Sequence, residues 1–194
     1  TGEVLAQGIA YAAKVWEMED VAIHVKGLEP AGYDPRLLKG MALAYATSDR
    51  GACHLRTTFY KPELTGLIGP DQIEGKAELL VEYEDRLTIF DSLIVCRFYR
   101  DMYQWEELAT IVEGSTGMRL KKEDLRGIAS RISDSTRRFN LREGMTKEQD
   151  SLPKRFHKEP LPETGKVVTE EEFKRLLEDY YRLRGWDEDG TPPP

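Results

Sequence analysis

The sequence predicts an all-α fold, a multihelical domain with irregular loops and little or no sheet. Three observations carry that prediction. Apolar residues recur at steps of three and four along several stretches, the period that gathers them on one helix face. Alternation of apolar with polar residues, the mark of a half-buried strand, appears only briefly near Val21 to Val25. Thr169-Glu170-Glu171-Glu172 is a capping box, in which the Thr169 and Glu172 side chains each satisfy a free N–H of the other residue.

The elements follow in chain order. Leu5, Ile9, Ala12 and Trp16 place a helix over 4–16. Gly27, Pro30 and Gly32 make 24–33 turn chemistry. Asp34-Pro35 is a helix start, because aspartate caps free N–H groups and proline suits the first helical position; Leu37 to Tyr45 continues it. Ser48-Asp49-Arg50-Gly51 is a turn that delivers Cys53-His54-Leu55-Arg56. Residues 61–75, with Pro62, Gly66, Gly69, Pro70 and Gly75, read as a surface loop. Ala77 to Phe90 is a helix with Leu80, Tyr83, Leu87 and Phe90 on one side. Tyr103 to Glu113 is a shorter one, ending before Gly114 and Gly117. Leu125, Ile128, Ile132 and Phe139 mark a third, whose polar side carries Arg126, Arg131, Arg137 and Arg138. Residues 150–166 are extended and proline-bearing, and the last helix runs from its capping box to Gly185. The end of the chain, 191–194 and the glycine before it, is expected to be disordered.

Composition narrows the function. The 194 residues are 40% apolar and 32% charged, enough for a core without disulfides or structural zinc. The net charge of −7 is spread along the chain, which argues against nucleic-acid binding and for a soluble acidic protein. Cys53 and Cys96 are the two cysteines, so a self-contained zinc or iron–sulfur site is excluded by ligand count. Unpaired cysteines fit a reducing, cytoplasmic compartment. No apolar run approaches the length of a membrane helix, and no signal peptide is expected. Because Thr1 opens on a helix already under way, the chain is expected to be a fragment or a processed piece.

On spacing alone, His54 is either a proton-handling group or a capping surface residue. Cys96 is either a soft-metal ligand or a buried apolar cysteine among Leu93, Ile94, Val95 and Phe98, and the second reading is the stronger one. A Cys53–His54 nucleophile pair lacks an orienting third group. The arginine-rich face suits an anionic partner or, more simply, nearby carboxylates. His24 and His157 read as surface residues, and Tyr180, Tyr181 and Trp186 as core packing.

Three longer stretches point further. Residues 26–36 read Lys-Gly-Leu-Glu-Pro-Ala-Gly-Tyr-Asp-Pro-Arg; residues 40–56 run from Gly-Met-Ala-Leu-Ala to Ala-Cys-His-Leu-Arg; residues 180–190 read Tyr-Tyr-Arg-Leu-Arg-Gly-Trp-Asp-Glu-Asp-Gly. With Leu152-Pro153-Lys154-Arg155-Phe156 and Pro160-Leu161-Pro162 between them, this ordered set resembles the tungsten-containing aldehyde ferredoxin oxidoreductase family over about residues 20–190. The resemblance implies a C-terminal part of a three-domain enzyme: 1–17 as the last helix of the preceding helical domain, 18–190 as the C-terminal helical domain, and 191–194 as a tail. It implies oxidation of an aldehyde to a carboxylic acid by a tungsten-bis-pterin and a [4Fe–4S] cluster, with electrons passed to ferredoxin. The N-terminal and middle domains of the same enzyme become partners, and the isolated piece is expected to be inactive.

Site residues carry over position by position. The family's Asp-x-x-Gly-Leu-Cys element matches Asp91, Ile94, Val95 and Cys96, with spacing kept and Ile94 and Val95 replacing glycine and leucine. The resemblance makes Asp91 and the Val95 backbone pterin contacts and Cys96 the fourth cluster ligand. The family's Gly-Gly-Cys-His matches Gly51-Ala52-Cys53-His54, making His54 the proton-handling residue, and a basic residue two positions on, here Arg56, lies near the pterin. Two other readings stay open: a tungsten-dependent aromatic acyl-CoA reductase of the same family, and a non-catalytic helical interaction module.

Overall fold

The computed structural model describes residues 1–194 and is built almost wholly of helices. In chain order they are α1 (Gly2–Leu5), α2 (Ile9–Val15), α3 (Lys39–Thr47), α4 (Tyr60–Leu64), α5 (Lys76–Ser92), α6 (Trp105–Thr116), α7 (Lys122–Arg142), α8 (Lys154–Lys158) and α9 (Glu170–Arg184), with single 3-10 turns at Glu19–Val21, Arg97–Tyr99 and Lys147–Gln149. The only β pairing is one bridge between Val25 and Leu28, closed around the left-handed pair Lys26 and Gly27. The expected all-α class is therefore what the chain adopts.

Helix α5 is the axis, and its seventeen residues span about 25 Å. Near its start, Leu80 and Val81 join a core with α3 and α9 that holds Met41, Leu43, Tyr45, Leu176 and Tyr180. Toward its end, Leu87, Ile89 and Phe90 join a second core with Trp105 and Leu108 of α6 and Leu125 of α7. Helix α3 is buried along its whole length, which explains its run of alanines.

Several boundaries differ from the sequence reading. The single helix expected over 4–16 is broken at Gly8, whose φ of 88° no right-handed helix accommodates, so α1 and α2 are separate. Asp34 does accept the Arg36 N–H at 2.8 Å, but it caps an isolated turn, and α3 begins only at Lys39. The segment 61–75 is no plain surface loop: it opens with α4, whose Pro62 and Glu63 are buried. Residues 154–158 form α8 inside the stretch expected to be extended. The capping box of α9 is present, with Glu172 N–H donating to Thr169 Oγ1 at 3.2 Å and Thr169 N–H to Glu172 Oε2 at 3.0 Å.

Of the α7 arginines, Arg131 and Arg138 are exposed, while two others are drawn into the fold by carboxylates. Arg137 is buried and pairs with Asp150 at 2.7 Å, while Arg126 reaches Glu82 and Asp85 at 3.4 and 3.7 Å. The chain's end is tethered as well: Arg137 Nε donates to the Gly190 carbonyl at 2.8 Å, Arg138 donates to Pro193, and Pro192 is buried. No helix is long and apolar enough to cross a membrane.

Candidate functional site

Two segments carry the candidate residues, and one side chain ties them together. The first leaves the end of α3 and turns through Ser48 to Gly51. Gly51 has φ 107°, and a Cβ there would stand 2.3 Å from the Val25 carbonyl oxygen, so this backbone path requires glycine. Beyond it Cys53 is buried, and Arg50 Nη2 donates to its Sγ at 3.0 Å.

His54 follows, half-buried against aromatic rings. Its centroid lies 5.8 Å from Tyr33 and 6.4 Å from Tyr60, and those two phenols stack on each other at 3.9 Å and 5°. Burial, reinforced by the charge of Arg50, holds the His54 imidazole below its usual pKa, favouring the neutral ring. Burial pushes the Tyr33 phenol the other way.

The second segment is the end of α5. Phe90 accepts from the Val95 N–H at 2.9 Å and Asp91 from the Ile94 N–H at 3.1 Å, the paired bonds of a Schellman turn. Such a turn needs a left-handed residue after the cap, usually glycine, and Ile94 occupies it at φ 58°. The turn hands the chain to Cys96, whose thiol is free and exposed, so the reading of Cys96 as a buried apolar cysteine is overturned. Val95 packs partly buried on the second core, leaving its backbone at the turn.

Arg56 links the two. Its Nε donates to Asp49 Oδ1 at 2.9 Å and its Nη1 to Asp91 Oδ2 at 2.7 Å. Arg97, next to Cys96, grips the same carboxylate with Nε at 3.0 Å from Oδ1 and Nη2 on Oδ2. The structure thus brings Arg56, Asp91, Val95 and Cys96 into one continuous arrangement. His54 shares the Arg56 segment but makes its ring contacts with the two tyrosines. Beside Asp91, Arg56 and Asp49 opens a cavity of about 320 Å³, also lined by Glu84, Thr136 and Asn140.

Sequence reasoning missed Arg50, Arg97, Tyr33 and Tyr60. Arg97 directly follows Cys96 and Arg50 lies within the turn before His54, but neither position announces where its guanidinium points. Tyr33 and Tyr60 lie far apart in sequence, on segments without a helical period, so only the fold stacks them.

Cys96 offers a single exposed thiol, one turn from the Asp91 carboxylate that Arg97 holds. No group of three or more potential ligands gathers within the chain. Asp91 retains exposure and acceptor capacity, and Arg97 Nη1 is buried without a partner. Asp91 and Cys96 are both exposed, so each is open to a group bound from outside the chain.

The family profile described as aldehyde ferredoxin oxidoreductase, domains 2 and 3, matches residues 1–194. The chain therefore belongs to the aldehyde ferredoxin oxidoreductase family. A tungsten-containing aldehyde ferredoxin oxidoreductase of Pyrococcus furiosus is 34% identical over 197 residues, which cover 99% of this chain and 33% of that protein. The aliphatic sulfonate oxidoreductase, WOR-like subunit, of the same organism is 28% identical, over 98% of this chain and 30% of its own length. The chain thus spans about a third of these relatives. Among solved structures, the active-site complex BamBC of benzoyl-coenzyme A reductase shares the fold, with a TM-score of 0.75 and 18% identity over 98% of this chain and 35% of its own.

Proposed function

We propose that this chain is the C-terminal part of a tungsten enzyme that oxidises aldehydes to carboxylic acids and passes the electrons to ferredoxin. The observation that carries the reading is the Asp91-to-Cys96 turn, which presents an exposed thiol one turn from a carboxylate held by two guanidinium groups. The name of the 34% identical relative supplies the reaction class.

In this reading an aldehyde and a water become a carboxylic acid, two protons and two electrons. A tungsten-bis-pterin, when bound, supplies oxygen transfer and accepts the electron pair, which a [4Fe–4S] cluster relays. The residues of this chain orient and neutralise. Asp91 accepts from pterin N–H groups, its carboxylate plane fixed by Arg56 and Arg97. The Val95 backbone is a further pterin contact. Arg56 has guanidinium donors left over after its bonds to Asp49 and Asp91. Cys96 is the fourth cluster ligand. His54, held neutral by burial, accepts a proton at a ring nitrogen. Tyr33 and Tyr60 flank that ring. The remaining domains of the enzyme complete both centres, so the isolated chain is inactive.

Metal analysis of the full-length protein, purified without oxygen, tests the reading. Tungsten with about four irons per chain is expected, with the iron lost in Cys96→Ser and tungsten retained. A protein holding neither metal would overturn it and leave a helical interaction module.

A further inference from the structure

We propose that Asp49, its backbone pinned by Asn140 of α7, is a positioning residue that aims the Arg56 guanidinium at Asp91 and so at the pterin. Its meaning for the function rests on the proposed pterin contact of Arg56, whereas its geometry does not.

Arg56 bridges two carboxylates from separate parts of the chain. Its Nε donates to Asp49 Oδ1 at 2.9 Å and its Nη1 to Asp91 Oδ2 at 2.7 Å. A guanidinium is a rigid planar fork, so an acceptor on Nε sets the direction in which Nη1 points. The Arg56 side chain is still 31% exposed. One ion pair at that exposure yields less than an arginine gives up in rotamer freedom when it is fixed. Asp91 alone therefore does not hold Arg56 in one orientation, and the second carboxylate does.

Asp49 is itself held from two sides. Asn140 Nδ2 donates to its carbonyl at 2.8 Å, and Lys26 Nζ donates to the Ser48 carbonyl just before it at 3.0 Å. Arg50, the next residue, directs its guanidinium to Cys53 Sγ at 3.0 Å, which leaves the Asp49 carboxylate to Arg56. Asp91 needs no such help from Arg56. Arg97 grips both of its oxygens, with Nε 3.0 Å from Oδ1 and Nη2 on Oδ2. Asp91 thus stays in place when Arg56 moves, and Arg56 moves when Asp49 is removed. All four residues, Asp49, Arg56, Asp91 and Asn140, line the cavity of about 320 Å³, so a released guanidinium has room to swing.

The test uses the full-length protein, purified without oxygen. In a crystal structure of Asp49→Ala, Asp91 is expected to remain on Arg97 while Arg56 leaves it; an Arg56–Asp91 contact that survives overturns the proposal. The tungsten midpoint potential, followed by electron paramagnetic resonance, reads the consequence at the pterin. A cation beside the centre favours its reduced form, so Arg56→Gln lowers the midpoint. Asp49→Ala is expected to lower it too, because the guanidinium is released. Loss of the Asp49 charge alone would raise it, so a raised or unchanged midpoint overturns the proposal. Asn140→Leu, which alters no charge, is expected to lower the midpoint by less than Asp49→Ala. Should Asp49→Ala not fold, an unchanged midpoint in Asn140→Leu overturns the proposal instead. Absence of tungsten from the unsubstituted protein sinks the functional reading, and the Arg56–Asp91 contact in Asp49→Ala still decides the positioning.

Discussion

Ile94 stands at φ 58° with 93% of its surface exposed, so it is both strained and unpacked. A β-branched residue in the left-handed region costs about 1–2 kcal/mol, and an exposed isoleucine recovers none of it by burial within this chain. Strain of this kind persists where the surrounding structure over-determines the backbone, and here the Schellman turn that presents Cys96 does so. Ile94→Gly should relieve the strain while adding about 0.5–1 kcal/mol of unfolded-state entropy. The expected net result is a gain of roughly 0.5–1 kcal/mol in this chain's stability, read as a higher urea midpoint with an unchanged m-value. A loss would mean that the isoleucine side chain packs in a way its exposure does not reveal.

At the scale of elements, α4 and α5 are joined by a salt bridge with no access to water. Lys76 Nζ and Glu63 Oε1 lie 2.5 Å apart, both side chains fully buried. Lys76 also donates to the Gly69 carbonyl at 3.0 Å, and Glu63 accepts the Gly40 N–H at 2.7 Å from α3. Burial pushes the lysine down and the glutamate up, each opposed by its partner. Lys76→Met would leave Glu63 buried without its counter-ion and should cost about 3–5 kcal/mol. The double variant Lys76→Met, Glu63→Leu should recover much of that loss, and chemical denaturation of both measures the difference. This pair also marks the limit of what the sequence discloses. The helical period placed α5 and α7, because a face that must be buried against one layer repeats every three to four residues, and the capping box with Gly185 placed α9. It missed α4, a helix of five residues whose burial rests on a charge pair instead of an apolar face. The same holds at the site. Asp91, Val95 and Cys96 were singled out through the family resemblance and not from their own spacing, whereas Arg50 and Arg97 make their contacts through long side chains whose direction depends on partners distant in sequence or held by a turn.

At the scale of the whole molecule, one carboxylate holds three distant parts of the chain. Asp150, fully buried, pairs with Lys26 of the Val25–Leu28 hairpin at 2.7 Å and with Arg137 of α7 at 2.7 Å, and accepts from Tyr181 Oη of α9 at 2.5 Å. Lys26 spends its other donors on the Ala46 and Ser48 carbonyls at the end of α3, where the chain enters the turn leading to His54. Burial already pushes the Lys26 ammonium down, and Asp150 is what opposes that. Asp150→Asn keeps the shape but leaves two buried cations without an anion, so a loss of about 3–5 kcal/mol is expected in urea unfolding at pH 7. Breaking the exposed Lys154–Asp20 pair by Asp20→Asn should cost no more than about 1 kcal/mol, which calibrates the comparison. The deficit of Asp150→Asn should also depend on pH. With its partner gone, Lys26 holds its proton more weakly folded than unfolded, so the unfolded chain binds more protons between the two values. Stability of the variant relative to the unsubstituted chain should therefore rise with pH, approaching its best as the unfolded value of about 10.4 is reached. A deficit that stays constant from pH 7 to 10 would show that Lys26 keeps its charge by another route, and that Asp150 serves the fold through Arg137 and Tyr181 alone.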